Sequence, residues 1–204
     1  MKKTLPTILL LSLILILTSC STCSKNNACC GGSASSGSAG SDMQSFPAFT
    51  GSDLDGGSVS SDIFAENSVT VVNFWFSSCA PCVGELPELN ALNEELMEKG
   101  GAVIGINTDT LGGSSDSISE AKKILEKQGA LYRNLYFDDA SKDAIDFANS
   151  ITAFPTTYLV DRGGYIIGDP VVGSIDDEST MKMLKKRIDK IIEDDKDVPY
   201  QDNE

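Results

Sequence analysis

The sequence predicts an α/β domain in which a central mixed sheet is flanked by helices. Three observations carry that expectation. Apolar patterning alternates strand, helix, strand, helix along the first half of the domain. A Cys-x-x-Cys pair stands where the first of those strands becomes a helix. Two short apolar runs about an Asp-Arg-Gly-Gly turn then precede one long amphipathic segment.

Residues 69–76 (VTVVNFWF) form a β-branched and aromatic run that suits a buried strand. Beyond Pro81, the spacing of Val83, Leu86, Leu89, Leu92 and Leu96 predicts a helix, stopped by Gly100-Gly101. Residues 102–107 (AVIGIN) read as a second buried strand. Ser117 to Glu120 has the pattern of a capping box, opening a helix with Ile118, Ala121 and Leu125 inward and Gly129 at its end. This βαβα order requires a parallel sheet with right-handed crossovers. A short strand follows at 134–137, then a short helix at 142–149 with Ile145 and Ala148 on one side. Residues 156–160 and 165–168, joined by the turn at 161–164, read as a hairpin. Met181, Leu184, Ile188 and Ile191 line the last helix.

The flanks differ from this patterned core. Residues 1–19 begin with two lysines and continue into a short apolar run, the plan of a secretory signal. Leu17-Thr18-Ser19-Cys20 resembles the lipobox of bacterial lipoproteins, so the expected mature chain starts at Cys20, acylated on its amino group and thiol. The alternative is a plain signal peptide cut at small residues nearby. Residues 20–45 include an eleven-residue stretch of Gly, Ser and Ala alone (GGSASSGSAGS), which can bury almost nothing, and read as a tether. Residues 46–193 form the predicted domain, and 194–204 an acidic tail.

Composition narrows the chemistry. The 204 residues carry 16 basic and 30 acidic side chains, a formal charge of −14, which opposes binding to nucleic acid or to anionic lipid by charge. Attachment to membrane would therefore come from the N-terminal lipid. There is no histidine, which removes every imidazole-dependent nucleophile pair and most catalytic zinc sites. Of six cysteines, Cys23, Cys29 and Cys30 fall in the tether, where they could pair locally, pair between chains or carry lipid. A zinc site using Cys79, Cys82 and tether thiols would lack a second ordered Cys-x-x-Cys. No metal and no cofactor is expected.

Cys79-Ala80-Pro81-Cys82 carries the chemistry. A thiol at a helix start faces unsatisfied amides and the positive end of the helix dipole, which favours thiolate. Cys82 lies three residues on, on the same face and one turn deeper. An exposed Cys79 thiolate can attack a partner's disulfide, and Cys82 can then resolve the mixed disulfide. The competing reading is a structural disulfide, but so small a loop removes little entropy from the unfolded chain.

Residues 46–89, the segment AVIGINTD at 102–109 and the segment AFPTTYLVD at 153–161 together resemble the TlpA/ResA-like branch of the thioredoxin superfamily, membrane-tethered thiol-disulfide oxidoreductases of bacteria. The resemblance implies a thioredoxin-like fold, with Cys79 as nucleophile and Cys82 as resolving thiol. It implies that Pro155 is a cis-proline facing the dithiol, with Phe154 and Thr156 presenting backbone edge to an extended substrate. Local sequence alone would prefer a trans proline. Trp75 matches the family's tryptophan near the active site and is expected at the substrate surface, with core packing as the alternative. Glu85 matches the family's glutamate beside the dithiol, a proton acceptor for Cys82. From the residues alone it is equally a first-turn glutamate on the helix dipole. Pro87 matches the proline that bends this helix, and Asn73 stands where classical thioredoxins carry a buried acid. Ser78 departs from the pattern, since most relatives have tryptophan there, and residues 111–117 form an apolar-poor insert.

The implied partners are exported proteins with thiols or disulfides, and a membrane thiol relay of CcdA/DsbD type as electron donor. Cytochrome c maturation is the best-known client task of this branch. Two alternatives remain open. A peroxiredoxin-like peroxidase is disfavoured because the family's Pro-x-x-x-Thr/Ser-x-x-Cys pattern is missing: Val72 and Phe76 occupy the first two of its fixed positions before Cys79. A non-catalytic binding lipoprotein would need neither cysteine.

Overall fold

The structure is a computed structural model that describes residues 43–196. The signal segment 1–19, Cys20, Cys23, Cys29, Cys30, nearly all of the tether and residues 197–204 lie outside the described residues. Seven strands form one mixed sheet: β1 (Thr50–Asp53), β2 (Ser58–Ser60), β3 (Val69–Trp75), β4 (Ala102–Asn107), β5 (Arg133–Phe137), β6 (Thr156–Asp161) and β7 (Val171–Val172). Their order across the sheet is β2-β1-β5-β4-β3-β6-β7. Strands β3, β4 and β5 run parallel, and β1, β6 and β7 pair antiparallel at the flanks. The helices are α1 (Ala80–Gly84), α2 (Leu86–Met97), α3 (Ser115–Gln128), α4 (Lys142–Ser150) and α5 (Glu178–Asp195). No helix of the described residues is long and apolar enough to cross a membrane.

Every residue of β3 is buried, which is why its sequence shows no alternation: it has helices on one face and an aromatic layer on the other. On the first face, Val69, Val71 and Trp75 join Leu86, Leu89, Leu92 and Leu96 of α2 and Leu184 and Ile188 of α5. On the second, Val72 and Phe74 meet Phe46, Phe49, Phe64 and, from α4, Ala144 and Ala148. The sheet lies between two apolar layers, and the parallel strands all deliver their C-terminal ends to the edge that carries the dithiol.

Several elements differ from the sequence expectation. The helix expected to open at Ser117 is capped one turn earlier, where Ser114 Oγ accepts from Ser117 N, and Gly129 closes it in the left-handed region as expected. The second arm of the predicted hairpin is interrupted. Tyr165 and Ile166 make only single bridges, and pairing with β6 resumes at Val171–Val172, after Gly168 (φ +69°) and Pro170 break the ladder. The antiparallel pair β1/β2 was not signalled at all. Helix α5 runs to Asp195, past the expected boundary at 193, and Asp195 is held by the Arg162 guanidinium at 2.9 Å.

Gly105 is required by a close approach. A Cβ there would be driven into the Asn134 side-chain amide, whose Oδ1 accepts the Trp75 indole N–H at 2.9 Å. Gly105→Ala is therefore expected to displace Asn134, to cost about 1–3 kcal/mol of stability, and to shift the emission of Trp75, the only tryptophan. Urea unfolding with a Trp emission spectrum checks both. Unchanged stability and emission would contradict the close approach.

Candidate active site

Strand β3 ends at Trp75, and the chain turns through Phe76-Ser77-Ser78 into Cys79, the N-cap of α1. The turn is pinned from β4. Ser77 N donates to Asp109 Oδ2 at 2.8 Å, Asn107 Nδ2 donates to Ser77 Oγ at 3.2 Å, and Thr108 Oγ1 donates to the Trp75 carbonyl at 3.4 Å. Pro81 sits within the first turn of α1, where its missing N–H costs nothing. The two cysteines form a disulfide, with 5.3 Å between their Cα atoms. Cys82 N donates to Cys79 Sγ at 3.3 Å, so a backbone dipole already faces the sulfur that carries negative charge when the couple opens. Cys79 retains 6% exposure and Cys82 none. Both cysteines are buried, and the small remaining exposure belongs to Cys79 alone.

The helix breaks at Glu85, between α1 and α2. Pro87 accounts for the break, because it offers no N–H to the carbonyl of Val83 and its ring crowds that carbonyl. The break turns the Glu85 side chain inward, where it is fully buried. Oε1 accepts from Asn73 Nδ2 at 2.8 Å, and Oε2 from Ile175 N at 2.8 Å, in the loop before α5. Burial pushes the Glu85 carboxyl above the usual carboxylate range. The Ile175 N–H, the Asn73 amide and Ser174 oppose that shift, and Asp176 adds to it. The first-turn, dipole-stabilised surface glutamate is thereby replaced by a buried acid in direct contact with Asn73.

The sign of the linkage follows. Between the ordinary carboxyl value and the raised folded one, the folded chain holds a proton that the unfolded chain has released, so stability falls as pH rises through that window. Glu85→Gln removes the buried charge and keeps an acceptor for Ile175 N. It is expected to raise the urea midpoint, with a larger gain at pH 8 than at pH 5. An equal difference at both would contradict a raised Glu85.

The Phe154–Pro155 peptide bond is cis. Pro155 O accepts from Gly173 N at 2.9 Å, joining this loop to the end of β7. Phe154 is half-buried, packs edge-on to Phe76 with 5.2 Å between ring centroids, and belongs with Phe76 to the apolar layer that holds both cysteines. Two expected substrate contacts need correction. Trp75 is completely buried, with its indole bonded to Asn134, so core packing holds and no surface is left for a substrate. Thr156 is buried too, its hydroxyl donating to Ala153 O at 2.7 Å and its backbone paired with β3 and β7. Of the residues expected to contact substrate, Phe154 alone is half-buried rather than buried, and Phe76 beside it is half-buried too. Sequence reasoning missed Asn134, Asn107, Asp109 and Ile175; nothing local in AVIGINTD marks its Asn107 and Asp109 as the residues that hold the dithiol turn.

Comparison with known proteins agrees with this geometry. Residues 43–168, more than half of the chain, match the AhpC/TSA family. The chain is 28% identical over 127 residues to the thiol:disulfide interchange protein HelX of Rhodobacter capsulatus, a match covering 62% of each chain and so less than two thirds of HelX. It is 28% identical over 145 residues to the thiol-disulfide oxidoreductase ResA of Bacillus cereus, covering 71% of this chain and 75% of ResA. The thioredoxin domain of a thiol-disulfide oxidoreductase from Bacteroides vulgatus superposes with a TM-score of 0.56 at 26% identity, over 72% of this chain and 96% of that one. A Chlorobium tepidum protein described as a putative interchange protein DsbE shares the fold, with a TM-score of 0.59 at 23% identity over 74% of this chain and 96% of its own. With its thioredoxin-like sheet and its Cys79–Cys82 couple at the head of α1, the chain belongs to the AhpC/TSA family and stands among the thioredoxin-like thiol-disulfide oxidoreductases.

Proposed function

We propose that the chain is a lipid-anchored reductase of disulfides in exported proteins, held outside the cytoplasmic membrane through Cys20. The observation that carries the reaction is the asymmetry of the couple: Cys79 keeps slight exposure over a Cys82 that has none, with a buried carboxyl group one helical turn further on. In the reduced form the Cys79 thiolate attacks a client disulfide. A Cys79–client S–S bond forms, the client bond breaks, and the departing client sulfur takes a proton from solvent. Cys82 then gives its proton to Glu85 and attacks Cys79 Sγ. The Cys79–Cys82 bond forms, the Cys79–client bond breaks, and the second client sulfur leaves. Two electrons pass from the dithiol to the client.

Pro155 and Phe154 border the point of attack, and the Phe154 backbone offers an edge for an extended client segment. Returning the couple to the dithiol requires a donor, for which a membrane thiol relay of CcdA/DsbD type fits a domain tethered at the membrane surface, where its effective concentration is raised. The relatives named as thiol-disulfide oxidoreductases and interchange proteins support disulfide exchange as the reaction, and the family resemblance adds exported clients, with cytochrome c maturation as one such task. The test is turnover of a disulfide substrate against turnover of hydrogen peroxide, both with dithiothreitol as reductant. Disulfide reduction without peroxide turnover is expected. Peroxide turnover by Cys79 without disulfide reduction would establish the peroxidase alternative, and a Cys79→Ser variant that keeps full biological activity would establish a binding lipoprotein.

A further inference from the structure

Among the described residues three buried side-chain oxygens lack a hydrogen-bond partner, Thr70 Oγ1, Tyr132 Oη and Asn73 Oδ1, and the last belongs to the residue that bonds Glu85. Asn73 is wholly buried, its Nδ2 donates to Glu85 Oε1 at 2.8 Å and to Thr157 Oγ1 at 3.1 Å, and its Oδ1 has no protein partner. We propose that the Asn73 side-chain amide is a two-position switch, donating to the Glu85 carboxylate in one position and, turned by half a rotation, accepting from the Glu85 carboxylic acid in the other. Asn73 is on this reading a positioning residue. The inference rests on the reading of Glu85 as proton acceptor for its use in the reaction, though not for its existence.

The geometry constrains where the proton goes. Oε2 accepts from Ile175 N, and a backbone N–H can only donate, so that oxygen remains an acceptor in both protonation states. On this reading the proton taken from Cys82 sits on Oε1, the oxygen that faces Asn73. There it would meet Asn73 Nδ2, which is donor only, and two hydrogens would face each other in a dry interior. Half a rotation about Cβ–Cγ brings Oδ1 to that place. A carbonyl oxygen has two lone pairs, so it can accept from Glu85 and from a reoriented Thr157 hydroxyl together. No protein bond holds Oδ1 where it now stands, so the turn breaks nothing on that side.

The charged and titratable groups around Glu85 do not substitute for this. Asp176, from the loop before α5, opposes the carboxylate, and Tyr132, from the segment entering β5, is a buried phenol whose own ionisation the Glu85 charge opposes. Cys82 lies one turn back in α1, and β3 and β6 present only neutral Asn73 and Thr157. An aspartate at position 73 would compete with Glu85 for the proton. An amide instead stabilises both states of one acid.

The test is NMR of the oxidised full chain with 15N,13C-labelled asparagine and threonine. Cross-peaks between the Asn73 Nδ2 protons and the Thr157 side chain are expected above the Glu85 titration and are expected to be lost below it. Glu85→Gln places an N–H group where Oε1 stood, imitating the acid, and is expected to lack those cross-peaks at every pH. Asn73→Leu is expected to raise the pH midpoint of mixed-disulfide resolution by less than about one unit, because the bond lost to the carboxylate is partly offset by the bond lost to the acid. Cross-peaks that persist through the wild-type titration, or in Glu85→Gln, overturn the switch. Cross-peaks that switch while Glu85→Gln keeps the wild-type pH profile of resolution sustain the switch and overturn Glu85 as the proton acceptor.

Discussion

Cys82→Ser is expected to accumulate the chain covalently joined to its client, because the mixed disulfide on Cys79 then has no internal thiol to resolve it. Cys79 is buried but keeps 6% exposure while Cys82 has none, so an external disulfide meets Cys79 first. Serine at 82 keeps the size and the backbone N–H that points at Cys79 Sγ while removing the attacking sulfur. Cys79→Ser removes the first bond-forming step instead, and no adduct is expected. Disulfide turnover falls on the order of 10³-fold or more in either variant, as for the loss of a nucleophile that acts as a unit with its partner. Non-reducing gel analysis after incubation with a disulfide-containing exported protein checks the asymmetry. Adducts trapped by Cys79→Ser and absent from Cys82→Ser would reverse the assignment of the two sulfurs.

Phe74→Ala is expected to cost about 3–5 kcal/mol. Phe74 is wholly buried near the C-terminal end of β3, and its ring lies 6.4 Å from Phe46, 5.9 Å from Phe147 and 5.9 Å from Tyr158 between centroids. These partners come from the N-terminal segment, from α4 and from β6, three places that cannot all close on a methyl group at once. Its neighbour Trp75 points to the opposite face of the sheet, so emission from the dithiol side is expected to keep its native spectrum while the urea midpoint falls. A cost under about 1 kcal/mol would mean that the aromatic layer repacks freely and is not what fixes the sheet.

Elements built from contiguous apolar residues were legible in the sequence, and elements built by distant pairing were not. Strand β3, helix α2 and strand β4 follow from runs whose burial shows in the residues themselves. Strands β1 (TGSD) and β2 (SVS) carry no apolar alternation, and they exist because Gly51 to Asp53 pair with Phe137 to Leu135, some eighty residues on. The dithiol was legible because its meaning lies in four adjacent residues at a strand-to-helix junction. Trp75 was not placed correctly, because its burial depends on Asn134, 59 residues away, with no local sign of the bond. Glu85 shows the same limit. Its position after Cys82 was readable, but its state is set by Asn73 on β3 and by the Ile175 N–H 90 residues later.

The direction of electron flow is the central claim, and the reduction potential of the Cys79/Cys82 couple tests it most directly. The Cys82 N–H aimed at Cys79 Sγ stabilises the open form with its Cys79 thiolate, while an anionic Glu85 beneath the pair opposes it. Titration of the full chain in dithiothreitol and glutathione redox buffers, read through the emission of Trp75 in the layer that holds both sulfurs, gives the midpoint. A value near that of thioredoxin, about −270 mV, is the predicted result and makes the chain a donor of electrons to oxidised clients. A value near about −120 mV would make it a donor of disulfides and contradict the reductase assignment.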